Sequence, residues 1–392
     1  MIGADDFLGP ARRRGLDFYV GVPCSFLTPI INRVIDDPRL DYVAAASEGE
    51  AVAIAAGAWL AGRETAVMCQ NSGLGNAVNP LTSLNFPFRV PTLLIVTWRG
   101  QPGLKDEPQH ELMGQVTGDL LGLIEVARAG FPSRAEAVAE ALDVARRHMA
   151  ETGLPYAFIM QKDTVRDHGL DPPSRSPLRR AKEGQPPAPA PPPGTFVDHR
   201  AGEARPTRLA ALERFLEMVP DRAAVIATTG KCGRELFTLA DRRQHLYQVG
   251  SMGCAGAMGL GLAMNAGRPV VVLDGDGAAL MKMGAMATIG AYAPGTLIHL
   301  ILDNGVHDST GGQATVSASV DFARVALACG YARAASCDDL DGFERAFRAS
   351  LAAPGPWLIH LRIEPGSLSG LGRPTLSPAE VARRFKDFVA SG

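Results

Sequence analysis

Two polar tips, Asp274-Gly275-Asp276-Gly277 and Asp303-Asn304-Gly305, each follow a run of aliphatic residues and carry groups able to bind a cation. Pro269 to Leu273 reads as a strand buried on both faces. Gly275 and Gly277 then let the backbone turn tightly and approach a ligand. Ala278 to Tyr292 reads as a helix whose free N–H groups face that turn and suit a phosphate. A second buried strand, Leu297 to Leu302, runs into Asn304, which follows Asp276 by 28 residues. Parallel neighbours would bring both tips to the carboxyl edge of one sheet. A carboxylate, an amide oxygen and a nearby backbone carbonyl are hard ligands, the kind Mg²⁺ takes while keeping sites for phosphate oxygens and water. A lone GDG is usually a plain turn; its pairing with Asn304 lifts it above that.

Other residues have both a structural and a chemical reading. Ser47 suits the N-cap of a helix from Glu48 to Leu60, where Glu48 and Glu50 would favour the helix dipole in any case. Arg99 to His110 holds too many prolines and charges for a core segment, and such loops often carry function. Arg99 offers a bidentate fork and Lys105 a point charge for an anionic substrate group, with Ser25 a further substrate candidate. His110 and His307 are candidate acid–base groups, and Asp308 could orient His307.

The elements that must position these residues alternate between strand and helix. Strands are expected at Asp17–Val20, Tyr42–Ala46, Thr65–Gln70, Thr92–Trp98 and 155–160, then at Ala223–Ala227, Leu246–Val249 and Trp357–Arg362. Between Pro172 and Pro193 lie 9 of the 29 prolines, which reads as an exposed linker. The expected organisation is two doubly wound parallel-sheet domains, 1–170 and 206–392, joined by a proline-rich linker over 171–205 with no middle domain. Lys+Arg 39 against Asp+Glu 41 leaves no basic excess and argues against nucleic acid as a partner. The six cysteines form no CxxC or zinc spacing, no apolar run reaches membrane-spanning length, and a cytoplasmic protein is expected.

Ser47-Glu48-Gly49-Glu50-Ala51 and onward to Gly57, with GDG and Asn304, resembles the thiamine-diphosphate-dependent decarboxylase family. In its glutamate-bearing helix the glutamate precedes a glycine by nine residues, which selects Glu48 over Glu50. The resemblance implies that Glu48 bonds the aminopyrimidine N1′ and so activates the cofactor. It also implies that Gly250 and Met252 hold the cofactor bent, that Ser72, Gly73, Thr229, Gly230, Gly275, Gly277 and Ala278 contact it, and that Asp276, Asn304 and the Val306 carbonyl bind Mg²⁺. Asp303 and Cys24 stand where relatives carry Asn and Asp. QNSGLGNAVNPL, WRGQPGLKDEPQH, TTGKCGREL and DNGVHDSTGGQ are most similar to the branch that decarboxylates 3-phosphonopyruvate, with the sulfopyruvate branch next. That implies a homo-oligomer with active sites between subunits, acting in phosphonate biosynthesis.

Overall fold

The computed structural model describes residues 1–170, 194–202 and 204–391. They fall into two compact units, Met1–Ala188 and Pro189–Gly392, each built on its own parallel sheet. The proline-rich stretch read as linker lies outside the described residues up to position 193.

The first unit carries β1 (Leu16–Gly21), β2 (Asp41–Ala44), β3 (Glu64–Gln70), β4 (Leu93–Thr97), β5 (Ala127–Gly130) and β6 (Tyr156–Met160), in the order β2-β1-β3-β4-β6-β5. Every pairing is parallel. β4 is buried at all five positions, as a strand covered on both faces must be. Phe7, Phe131 and Phe158 stack tilted or edge-to-face at centroid separations of 4.6 to 6.3 Å and fill one side of the sheet. The chain leaves β1 in one direction to β2 and the other side of β1 is taken by β3, so the strand order reverses between β1 and β3. Ligands of open α/β sheets gather at such a point.

The second unit carries β7 (Thr195–Asp198), β8 (Ala224–Ala227), β9 (His245–Tyr247), β10 (Val270–Gly275) and β11 (Leu297–Asp303). A short antiparallel hairpin follows, β12 (Val306–His307) and β13 (Gln313–Ala314), and then β14 (Arg333–Cys337) and β15 (Trp357–Arg362). The main sheet runs β7-β14-β15-β11-β10-β8-β9, all parallel. Its order reverses between β8 and β10, so the turns after those strands, Thr228–Gly230 and Asp274–Gly277, open side by side.

Three local expectations need correction. The helix expected from Ala278 to Tyr292 is two helices, Asp276–Met281 and Gly284–Tyr292, because Lys282 leaves helical geometry at φ −133° and ψ 41°. Thr195–Asp198, inside the segment read as linker, is the edge strand β7 paired to β14. β9 stops at Tyr247, short of Val249. All six cysteines are free thiols, five of them buried. Among the described residues no helix is long and apolar enough to cross a membrane.

Candidate active site

The helix Glu48–Leu60 starts where the sequence places it. Ser47 is its N-cap, with Oγ accepting the Glu50 N–H at 3.3 Å. The two glutamates then diverge. Glu50 is 3% exposed and its Oε2 accepts the Ala46 N–H at 2.8 Å, which closes the cap. Glu48 is half-buried, and its Oε2 accepts from Asn76 Nδ2 at 2.8 Å. The backbone of Gly73 lies against it so closely that a β-carbon there would stand 2.2 Å from Oε1. From Gly49 onward this helix is Ala- and Gly-rich and buried on every face except at Trp59, so packing fixes where Glu48 emerges.

Around it, at the carboxyl ends of β1, β3 and β4, a polar cluster forms. Cys24 Sγ donates to Gln70 Oε1 at 3.2 Å, and Gln70 Nε2 donates to Ser72 Oγ at 2.6 Å. Asn71, fully buried, donates from Nδ2 to the Arg99 carbonyl at 2.8 Å and accepts the Arg99 N–H at 3.3 Å, fixing the start of the loop. Arg99 Nη1 donates to Ser25 Oγ at 3.3 Å, so two of the expected substrate residues meet. The Arg99 fork, however, is already engaged: Nε donates to Asp106 Oδ2 at 2.7 Å and Nη2 to Asp106 Oδ1. The guanidinium holds the Asp106 carboxyl well below its ordinary range. Lys105 is exposed on the same loop. His110 is 7% exposed, and its Nδ1 is buried with no hydrogen-bond partner among the described residues.

In the second unit one pocket is lined by Thr229, Gly230, Met252, Gly275, Asp276, Gly277, Ala278, Asn304, Val306 and His307, all named from the sequence. The local backbone explains their presentation. Gly230 at φ 101° and the run Gly250 (φ 61°), Ser251 (φ 40°), Gly253 (φ 90°) are left-handed positions, and the second set throws Met252 outward. Gly277 has no room for a side chain: a β-carbon would lie 2.7 Å from His307 Cε1 and 3.4 Å from Met252 Cε. Gly250 does not line the pocket, and its carbonyl accepts from Gln248 Nε2 at 3.3 Å. Asp308 does not orient His307; its carboxylate is taken by Asn304 and Arg208.

The pocket fits a diphosphate and a cation on its own terms. Thr228 Oγ1 is buried, lines the pocket and has no partner among the described residues. Asp276 is 3% exposed, and burial pushes its carboxyl above the ordinary range, with the Asp303 charge adding to the effect. Thr315 Oγ1 donates to it. A carboxylate so buried suits a cation partner. Asp303 itself is held below its ordinary value despite burial, because His360 Nε2 at 2.9 Å, Ser317 and the Gly305 N–H favour its charged form. Asp303 is thus committed to His360 and to its own turn. Residues that sequence reasoning missed include Asn76, Asp106, Arg208, Thr228 and Thr315. Asn76 and Thr315 stand close to residues singled out for their spacing, but nothing in their type marked them.

Comparison with known proteins agrees with both halves. The family model for the thiamine pyrophosphate enzyme N-terminal TPP binding domain matches residues 1–121, and that for the C-terminal TPP binding domain matches 228–361. Phosphonopyruvate decarboxylase of Streptomyces hygroscopicus is 52% identical over 392 residues, spanning 99% of this chain and 94% of that one. The enzyme of the same name from Streptomyces viridochromogenes is 51% identical over 391 residues, with 100% and 96% covered. Sulfopyruvate decarboxylase of Methanosarcina acetivorans is more distant, 28% identical over 387 residues, with 96% and 95% covered. Among solved structures, the thiamine diphosphate-dependent 4-hydroxybenzoylformate decarboxylase of Rhodococcus jostii RHA1 shares the fold at a TM-score of 0.69 and 16% identity, over 94% of this chain and 100% of that one. The two units are thiamine pyrophosphate-binding domains. The chain belongs to the phosphonopyruvate decarboxylase family of thiamine pyrophosphate enzymes.

Proposed function

We propose that the chain decarboxylates 3-phosphonopyruvate to phosphonoacetaldehyde and CO₂, using thiamine diphosphate and Mg²⁺. The observation that carries this reading is identity above half along the whole length to two phosphonopyruvate decarboxylases. Thiamine diphosphate, when bound, supplies the electron sink into which a 2-oxo acid loses CO₂.

The chain's own residues have distinct tasks. Glu48, a carboxylate held against Gly73, would accept the proton-sharing hydrogen bond at the aminopyrimidine N1′. Asp276, Asn304 Oδ1 and the Val306 carbonyl would hold Mg²⁺, and Thr228, Thr229, Gly230, Gly275, Gly277 and Ala278 the diphosphate. Met252 and the Gly250 carbonyl would keep the cofactor bent, and Ser72 and Gly73 would border its pyrimidine. Lys105, Ser25 and the Nη1 of Arg99 would receive the phosphonate, the rest of the Arg99 fork serving the loop through Asp106. His110 and His307 would move protons at the reacting carbon. Irreversible loss of CO₂ would draw an unfavourable phosphonopyruvate-forming step forward, which suits phosphonate biosynthesis in the cytoplasm. A homo-oligomer with active sites between subunits completes the reading.

Aldehyde release from phosphonopyruvate, sulfopyruvate and pyruvate, beside a Glu48→Gln control, tests it. Strong preference for phosphonopyruvate that the control abolishes is the expected result. Preference for sulfopyruvate would overturn the substrate and keep the machinery; no decarboxylation of any of the three would overturn the assignment.

A further inference from the structure

The second unit carries a buried ionic network beside the pocket that no step above requires. Arg208 opens the helix Arg208–Met218 and is 8% exposed; Glu235 is fully buried. Arg208 Nε donates to Glu235 Oε2 at 2.9 Å, and Nη2 donates both to Asp308 Oδ2 and to the Gly366 carbonyl, the latter at 2.6 Å. Asp308 Oδ2 also accepts from Asn304 Nδ2 at 2.7 Å, and Oδ1 accepts the Gly366 N–H at 3.2 Å. Glu235 Oε1 accepts the Leu368 N–H at 2.8 Å. Arg208, Glu235 and the stretch 366–368 are therefore linked, through Asp308, to the Asn304 amide.

An asparagine amide turned by half a revolution would offer a cation its NH₂ group, which repels it. A carboxylate can only accept, so Asp308 claims the amino end of Asn304. The carbonyl end is left to take the Val306 N–H, at 3.2 Å, with no further hydrogen bond among the described residues. A bare carboxylate so near the pocket would itself compete for a cation. The Arg208 guanidinium, shared between Asp308 and Glu235, offsets part of that charge, and Glu235 holds the guanidinium in place.

We propose that Arg208 and Asp308 are positioning residues that set the orientation of the Asn304 amide and thereby the affinity of the pocket for its divalent cation. The inference rests on the reading of Asp276, Asn304 and Val306 as the cation ligands.

Mn²⁺ is the probe: binding to the full chain with thiamine diphosphate present, read from the free-Mn²⁺ electron paramagnetic resonance signal, alongside thermal unfolding of the metal-free protein. Asp308→Ala, Asp308→Asn and Arg208→Lys are compared with wild type and with Asn304→Ala. Lysine keeps the charge of Arg208 but lacks the planar fork that spans its acceptors. Asn304→Ala and Asp308→Ala are expected to weaken Mn²⁺ binding about 10- to 100-fold, with Arg208→Lys in between. The near-isosteric Asp308→Asn carries the test if the alanine variant does not fold. Asp308 variants that lose thermal stability but bind Mn²⁺ like wild type, while Asn304→Ala binds weakly, would overturn the clamp and keep the cation site. Wild-type binding by Asn304→Ala would overturn the cation site and the clamp with it.

Discussion

Gly73 and Glu48 are in such close approach that a β-carbon on residue 73 would sit 2.2 Å from Oε1 and 2.5 Å from Cγ of the glutamate. Gly73 has ordinary dihedrals, φ −74° and ψ −11°, so alanine is tolerated by the backbone there. The clash falls on the end of a flexible side chain. Gly73→Ala should therefore displace the Glu48 carboxylate and leave the fold intact. The expected outcome is a loss of decarboxylase activity approaching that of Glu48→Gln, about 10²- to 10⁴-fold, with an unchanged melting temperature. Steady-state rates beside thermal melts check it.

Metal dependence should follow from the buried Asp276. Chelation with EDTA is expected to abolish activity, and added Mg²⁺ to restore it. Asp276→Ala should resist that rescue at any practical Mg²⁺ concentration. Activity of the chelated wild type at its full rate would remove Mg²⁺ from the reading.

Two residues of the loop from Arg99 to His110 are expected to differ in role. Lys105 is exposed, so Lys105→Ala should raise KM for phosphonopyruvate with little effect on stability. Arg99→Ala should raise KM too, but it also leaves Asp106, mostly buried, without its partner, at a cost of about 1–3 kcal/mol. KM values and urea unfolding of the two variants distinguish binding from support.

His245 gives the stability a pH dependence. It is fully buried, and burial foremost, with the nearby Arg242 charge, pushes its pKa down from 6.5 to about 4. The unfolded chain binds the proton more readily, so this contribution is complete above pH 6.5 and is lost as pH falls toward 4. Between pH 7 and pH 5 the loss is about 2 kcal/mol. Urea unfolding at both values should show it in wild type and show a smaller difference in His245→Phe.

Strands built from aliphatic and β-branched runs were legible in the sequence; Trp357–Arg362 is found at the residues expected. β5, Ala-Arg-Ala-Gly, and β14, Arg-Ala-Ala-Ser-Cys, were not, because small residues carry no strand preference and their place is set by the neighbours they pair with. The Ser47 cap and the GDG turn are local features, and local spacing exposes them. The Asp106 partner of Arg99 was within reach of the sequence, seven residues along the same loop, yet charge order alone does not say that a fork is occupied. The Arg208–Asp308 contact spans 100 residues, and nothing local signals it. Nothing in the residue types alone separates Glu48 from Glu50; the spacing to Gly57 does.

The close-packed helix Glu48–Leu60 has a practical consequence for redesign. Beyond its first residue only Trp59 is not buried, so a larger side chain at its alanines or glycines would disturb close packing. Every adjustment of substrate range must then come from elsewhere. The exposed positions of the loop, 102–105 and 107–109, can change in size and charge without touching that rod, provided Arg99, Asp106 and His110 are kept. Directed evolution toward other 2-oxo acids would find its tolerant ground in that loop and its forbidden ground in the helix.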